Sequence, residues 1–266
     1  MEHISSLQNP RIKFLQRLEK SSERKQTGQF VTEGFRELKL AVDNHYELAE
    51  LYVCEEVFYK KHNANELSQF VGKDPITLSS QVFEKLAYRE GSDGLIGLIK
   101  AKEHRLQDLS LKEKPLVVVL EQVEKPGNAG AILRTCDAAG VDAVFLADTL
   151  TDLYNPNLIR ASLGSVFSLK LIVDRSEVIK QWLTDQHFQI YPAIVEAKEL
   201  YFQSDFRSST AIVMGSEAHG LSGKWRSQEM KPVRIPMRGQ VDSLNVANAL
   251  SILVFEALRQ RSISVG

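Results

Sequence analysis

Cysteine is nearly absent from this chain. Its two residues, Cys54 and Cys136, are too few for a disulfide framework and lack the C-x-x-C spacing of a zinc or redox site. No apolar run approaches the roughly 18 residues that a membrane span needs, and the opening MEHISSLQNPRIKF holds no apolar signal core. Neither sign of charge dominates, with 33 Lys and Arg against 34 Asp and Glu. That balance argues mildly against a nucleic-acid binder held by a uniformly basic surface. The six histidines (His3, His45, His62, His104, His187 and His219) form no H-E-x-x-H or paired spacing, so no metal is expected. No G-x-S-x-G elbow occurs, which counts against an α/β-hydrolase. These absences leave a cytoplasmic protein with no membrane partner.

What is present is ordinary globular composition, 43% hydrophobic and 25% charged over 266 residues. A length of this size predicts about two domains. Asn9-Pro10 is a good helix start, followed by Ile12, Leu15 and Leu18 at helical spacing. QFVTE (29–33) reads as a strand, FRELKLAV (35–42) as a helix and LYVCE (51–55) as a strand. Ser79 or Ser80 can cap QVFEKLAY (81–88), and LIGLIKA (95–101) closes the first half. The polar stretch 102–115, ending in Pro115, marks a linker. Six basic residues lie between Asn9 and Lys25 against two acidic ones, which fits either a solvated helix face or a phosphate-facing arm.

The second half opens with PLVVVLEQV (115–123), a continuous apolar run suited to a buried parallel strand. A glycine-bearing turn and helix (127–139) follow, then strand signals at 141–147, 169–174, 188–195, 210–215 and 231–236. A final helix covers 244–261, with Val246, Leu250, Leu253, Val254, Ala257 and Leu258 on one face. Strands alternating with helices predict α/β domains with largely parallel sheets.

Three loops stand where open α/β sheets bind ligands, beyond the carboxyl ends of strands. Gly127-Asn128-Ala129-Gly130 lacks dinucleotide-binding spacing, and Gly215 and Gly220 have P-loop spacing but are followed by Leu221 where a lysine must stand. The third, IPMRGQVDSLNVAN (235–248), enters a helix that Ser243 or Asn245 can cap. Together they offer the backbone groups that an adenosine-type ligand needs, with Asn128, Arg134, Glu217, Ser243 and Asn245 as polar side chains. Each loop alone is explained by a turn and a cap, and His219 within the second reads more readily as a surface histidine.

At these loops the sequence resembles the SpoU (TrmH) family of SPOUT methyltransferases. The first motif stands as NAGAILRT (128–135), the middle one as MGSEAHGLS (214–222) and the last as IPMRGQVDSLNV (235–246), with NPNLIRASLGSVFSL (155–169) between the first two. Residues 1–100, above all QFVTEGFRELKLAV (29–42), resemble the substrate-binding domain often fused ahead, which is similar in fold to small RNA-binding ribosomal proteins. The resemblance implies an RNA-binding domain at 1–105, a linker at 106–114 and a methyltransferase domain with a C-terminal trefoil knot at 115–266. Pattern reading alone would have rejected a knot.

It also implies a homodimer, S-adenosylmethionine as cofactor, and methyl transfer to a ribose 2′-OH in RNA. Ribosomal (23S) RNA is favoured, with tRNA as the alternative and a non-catalytic RNA-binding protein as a third reading. Carried over by motif, the functional positions are Asn128, Arg134, Glu217, Ser243 and Asn245. Cofactor contacts fall to Gly215, Glu217, Gly220, Ile235, Met237, Leu244 and Asn245. Lys125-Pro126 departs from the family's usual Asp-Pro and Ala247 from its usual Ser, so no mechanism rests on a carboxylate at 125. A guanidinium stays protonated in proteins. Arg134 is therefore expected to stabilise an alkoxide or bind a phosphate, oriented by Asn128, rather than to act as base. Glu217 is expected to orient the loop or Asn128 by accepting backbone hydrogen bonds, and Ser243 and Asn245 to fix the cofactor and last loop. Arg160 and Ser162 are candidates for RNA or subunit contact.

Overall fold

A computed structural model of the protein describes residues 2–70, 72, 74–88 and 91–263. They fall into two compact units, Met1–Glu103 with Asp152–Ser168, and His104–Thr151 with Leu169–Gly266.

The first unit runs through β1 (His3–Ile4), α1 (Pro10–Arg17), α2 (Ser21–Thr27), β2 (Gln29–Glu33), α3 (Phe35–Asp43) and β3 (Leu48–Val53). The one-turn helices α4 (Glu55–Phe58) and α5 (Ala64–Leu67) follow, then β4 (Ile76–Leu78), α6 (Ser80–Leu86) and β5 (Leu95–Lys100). Asn9 caps α1 as its sequence suggests, Oδ1 accepting from the Arg11 N–H at 2.9 Å. Ile12, Leu15 and Leu18 are buried against Val31, Tyr52 and Ile96. The sheet order is β1-β4-β3-β5-β2. It is not largely parallel as expected. β5 runs antiparallel to both β3 and β2, because it fills the gap between two strands of like direction.

The second unit starts with β6 (Leu116–Glu121), α7 (Pro126–Ala138) and β7 (Ala143–Ala147). The chain then contributes α8 (Pro156–Ala161) and α9 (Ser165–Ser168) to the first unit, although the motif order assigns 155–169 to the methyltransferase half. Two contacts explain this. Arg24, 4% exposed, meets Asp152 at 2.6 Å, and Tyr154 stacks on Phe30 with ring centroids 4.1 Å apart. After this excursion come β8 (Leu171–Asp174), α10 (Ser176–Asp185), β9 (Gln189–Pro192), β10 (Glu199–Leu200), β11 (Thr210–Met214), β12 (Val233–Arg234) and α11 (Val246–Ile263). Residues 104–115 do not run free as a linker, since Leu106, Leu109 and Leu111 pack against the second core.

Five strands form a wholly parallel sheet in the order β8-β7-β6-β11-β9. Every residue of β6, β7 and β11 is buried, as continuous apolar runs require. Strand order reverses between β6 and β11, because the chain builds outward to β8 and then crosses to the opposite edge. Such a switch point leaves a crevice at the carboxyl ends of the strands.

Candidate active site

The loops that follow β6, β9, β11 and β12 all line one cleft of about 590 Å³, a size suited to a nucleoside cofactor. Its polar walls include Asn128, Glu196, Glu217 and Asn245, and its apolar walls Met214, Ile235, Met237 and Leu244. Gly215 and Gly220 line it too. The loop after β11 folds tightly on itself. Ser216 and Gly220 exchange backbone hydrogen bonds at 3.1 and 2.9 Å. A Cβ on Gly215 would lie 2.2 Å from the Gly220 carbonyl carbon, so no side chain fits there. Gly220 itself has φ +64°, the left-handed region that favours glycine.

Three of the five motif side chains are joined directly. Asn128 Nδ2 donates to Glu217 Oε1 at 2.5 Å, and Asn245 Nδ2 donates to Asn128 Oδ1 at 3.1 Å. Asn245 Oδ1 also accepts from the Ala247 N–H at 2.9 Å and so caps α11. One residue thus starts a helix and fixes the amide orientation of its neighbour. The expected Glu217 role differs in detail, since its partner is the Asn128 side chain rather than backbone. Ser243 lines the same cleft, and among the described residues its hydroxyl bonds only to Asp242, at 3.1 Å.

Arg134 is not brought to this cluster. It is exposed on α7, and among the described residues its side chain makes no hydrogen bond or ion pair. Six residues along a helix turn it roughly 120° from the Asn128 face and displace it roughly 9 Å. Within one chain Asn128 therefore does not orient it. His219 is exposed, and its backbone N–H donates to Ser216 Oγ at 3.2 Å. Cys136 is fully buried, and burial pushes its thiol up, out of nucleophilic range.

In the first unit, Ser162 is 1% exposed, its hydroxyl donating to the Ile159 carbonyl at 2.8 Å, so in this chain its side chain is not at the surface. Arg160 is exposed. Of the basic 9–25 stretch, Arg11 pairs with Glu2, Arg17 with Glu23 and Arg24 with Asp152; Arg24 is buried, while Lys13, Arg17, Lys20 and Lys25 are exposed. One carboxylate that the sequence reading passed over is Glu121, at the end of β6 and 1% exposed. The signal was available: it is the single acid in an otherwise apolar strand.

Among the described residues no helix is long and apolar enough to cross a membrane, and no three His, Cys, Asp or Glu side chains are grouped to hold a metal ion.

A parallel sheet with its switch-point cleft, closed by a glycine loop and an Asn-Glu-Asn cluster, defines an α/β unit built to bind a nucleoside-sized ligand. Residues 115–255 match the SpoU rRNA Methylase family, and 9–97 match an MRM3-like substrate binding domain. The chain belongs to the SpoU rRNA methylase family. It is 29% identical over 247 residues to the 23S rRNA (uridine(2479)-2′-O)-methyltransferase of Streptomyces viridochromogenes, covering 90% of this chain and 86% of that one. It is 26% identical to the 23S rRNA (guanosine(2553)-2′-O)-methyltransferase RlmP of Bacillus subtilis, covering 96% and 98%. The crystal structure of the SpoU methyltransferase AviRb from Streptomyces viridochromogenes, in complex with AdoMet, superposes with a TM-score of 0.86 at 27% identity, over 96% of this chain and 99% of that one. The fold is that of these SPOUT enzymes, a knotted C-terminal domain preceded by a smaller α/β domain.

Proposed function

We propose that this chain transfers a methyl group from S-adenosylmethionine to a ribose 2′-OH of 23S ribosomal RNA. The observation that carries this reading is the Asn128–Glu217–Asn245 cluster at the edge of the switch-point cleft. The cleft suits the cofactor. Close backbone packing at Gly215 leaves one wall without side chains, while Ile235, Met237 and Leu244 supply apolar contact. Gly215, Gly220, Ile235, Met237 and Leu244 would hold the adenosine portion, with Glu217 and Asn245 beside it. When bound, the cofactor supplies an already activated methyl group.

The chain's own residues then have two tasks. Asn128, held on both sides of its amide by Glu217 and Asn245, fixes the ribose in line with the methyl group; such positioning is itself a large share of catalysis. A cation must stand by the oxygen as it becomes an alkoxide, and a phosphate oxygen or water takes its proton. Arg134 provides that cation. Because it lies off the cleft of its own chain, it serves the cleft of a second copy, and the working unit is a homodimer. Residues 1–105 grip the RNA by shape and exposed loops, which favours a structured ribosomal element. A cytoplasmic location follows from that substrate.

The test offers total tRNA and ribosomal RNA separately to the purified protein with S-adenosylmethionine labelled in its methyl group, beside Arg134→Ala. Alkali-resistant label in ribosomal RNA, lost with the variant, is expected. Label in tRNA alone would move the substrate to tRNA. Cofactor binding without label in either pool would point to an assembly intermediate as substrate. No label and no cofactor binding would favour the non-catalytic reading.

A further inference from the structure

Glu121 ends β6 at the switch point with its side chain out of solvent. A carboxyl group is among the side chains least often buried without a partner, and both oxygens here are engaged. Oε2 accepts the Ser222 N–H at 2.7 Å, and Oε1 accepts the Ser222 hydroxyl at 2.6 Å. Oε1 also accepts the Ser176 hydroxyl at 3.2 Å. Two of the three bonds, and the two shortest, therefore go to one residue.

Ser222 is the second residue past the turn that forms the cleft wall. Leu221 beside it is buried in the core, and the Leu221 N and Gly220 carbonyl press on Gly215 at the positions where a Cβ would stand. A displacement of Ser222 thus passes through two backbone units to both glycines of the wall. Further along, Lys224 bridges Asp148 and Glu177, both at 2.9 Å, so the segment is tied down after Ser222 as well. Before Ser222, the Ser216–Gly220 exchange is local to the turn and fixes its shape but not its place.

We propose that Glu121 is a positioning residue for the cofactor, holding the 215–222 loop at the height at which its backbone can line the cleft. This rests on the reading of the cleft as the S-adenosylmethionine site. Glu121 touches no cleft atom itself and acts through Ser222.

Three variants separate this from a general supporting role: Glu121→Gln, which keeps shape but turns one acceptor into a donor against the Ser222 N–H; Ser222→Ala, which removes one bond; and Ser176→Ala, which removes the bond to α10 alone. Hydrogen exchange of the 214–226 segment without ligand reads the loop directly. Calorimetry reads the cofactor Kd, and turnover at saturating cofactor reads kcat. Glu121→Gln and Ser222→Ala are expected to speed exchange in that segment and raise the cofactor Kd about tenfold, the worth of one hydrogen bond to a charged group. The kcat at saturation and the RNA Kd should stay within about twofold, and Ser176→Ala should match wild type. Unchanged exchange and Kd in Ser222→Ala, or an equal effect of Ser176→Ala, overturns the proposal while the cofactor reading stands. A wild type that binds no S-adenosylmethionine sinks both.

Discussion

Asn245 carries two duties that a single substitution normally confounds. Its Oδ1 satisfies an otherwise orphaned N–H at the start of α11, while its Nδ2 sets the Asn128 amide. Aspartate caps a helix as well as asparagine does, yet it has no N–H to give Asn128. Asn245→Asp is therefore expected to hold thermal stability near wild type while methyl transfer falls at least tenfold. Asn245→Ala should lose the same activity and also about 1 kcal/mol of stability, the ordinary worth of a cap. Chemical unfolding beside single-turnover rates checks both, and equal stability loss in the two variants would show that capping is not what Oδ1 contributes. The cap was legible in the sequence as a polar residue ahead of an apolar helical face. The bond to Asn128, 117 residues away in sequence, was not, because propensity and periodicity report only local geometry.

The short segment after the cleft loop is held by charge as well as by the buried Trp225. Lys224 is shared by Asp148, at the end of β7, and Glu177, in the first turn of α10. Partial burial acts to raise the Asp148 carboxyl, but bonds from Lys224 and Ser176 outweigh it and hold the group below its ordinary value. The Lys224 bond likewise holds Glu177 below the usual carboxylate range. Both folded values lie under the unfolded ones, so the linked stability is fully present above roughly pH 4.5 and is lost as pH falls through the lowered values. Lys224→Met is expected to lower the urea midpoint at pH 7, with a smaller gap from wild type at pH 3. A gap of equal size at both pH values would mean that the lysine acts through its aliphatic stem. None of these pairings was legible in the sequence, where Lys224 is one of many surface cations and α10 itself went unread. By contrast β6, α7, β7, β11 and α11 fall close to the ranges their patterns predict, since each has a continuous apolar run or a helical face bounded by proline, glycine or a cap.

For the whole chain, order along the sequence proved a poor guide to which residues fold together. The motif run from 115 onward reads as one domain, but 152–168 packs with the first unit through features that pattern cannot announce. Arg24 sits inside a run that reads as a basic surface, yet it is buried, donating to the Leu18 and Glu19 carbonyls and to Asp152. Phe30 lies between Tyr154 and Phe167, with ring centroids 4.1 and 5.9 Å away. A guanidinium so placed cannot spare its counter-charge cheaply. Asp152→Asn keeps the shape and the bond from the Tyr154 N–H while removing the charge, and breaking a buried pair from one side costs about 3 kcal/mol. The loss should fall on the first unit as a whole, so that hydrogen exchange rises together in 152–168 and in β2, which carries Phe30. Protection in β6, β7 and β11 should remain, because their cores do not use the pair. Faster exchange confined to 152–168, with β2 unchanged, would show that the segment only rests on the first unit; joint loosening would show that the first unit folds cooperatively from two distant stretches of chain.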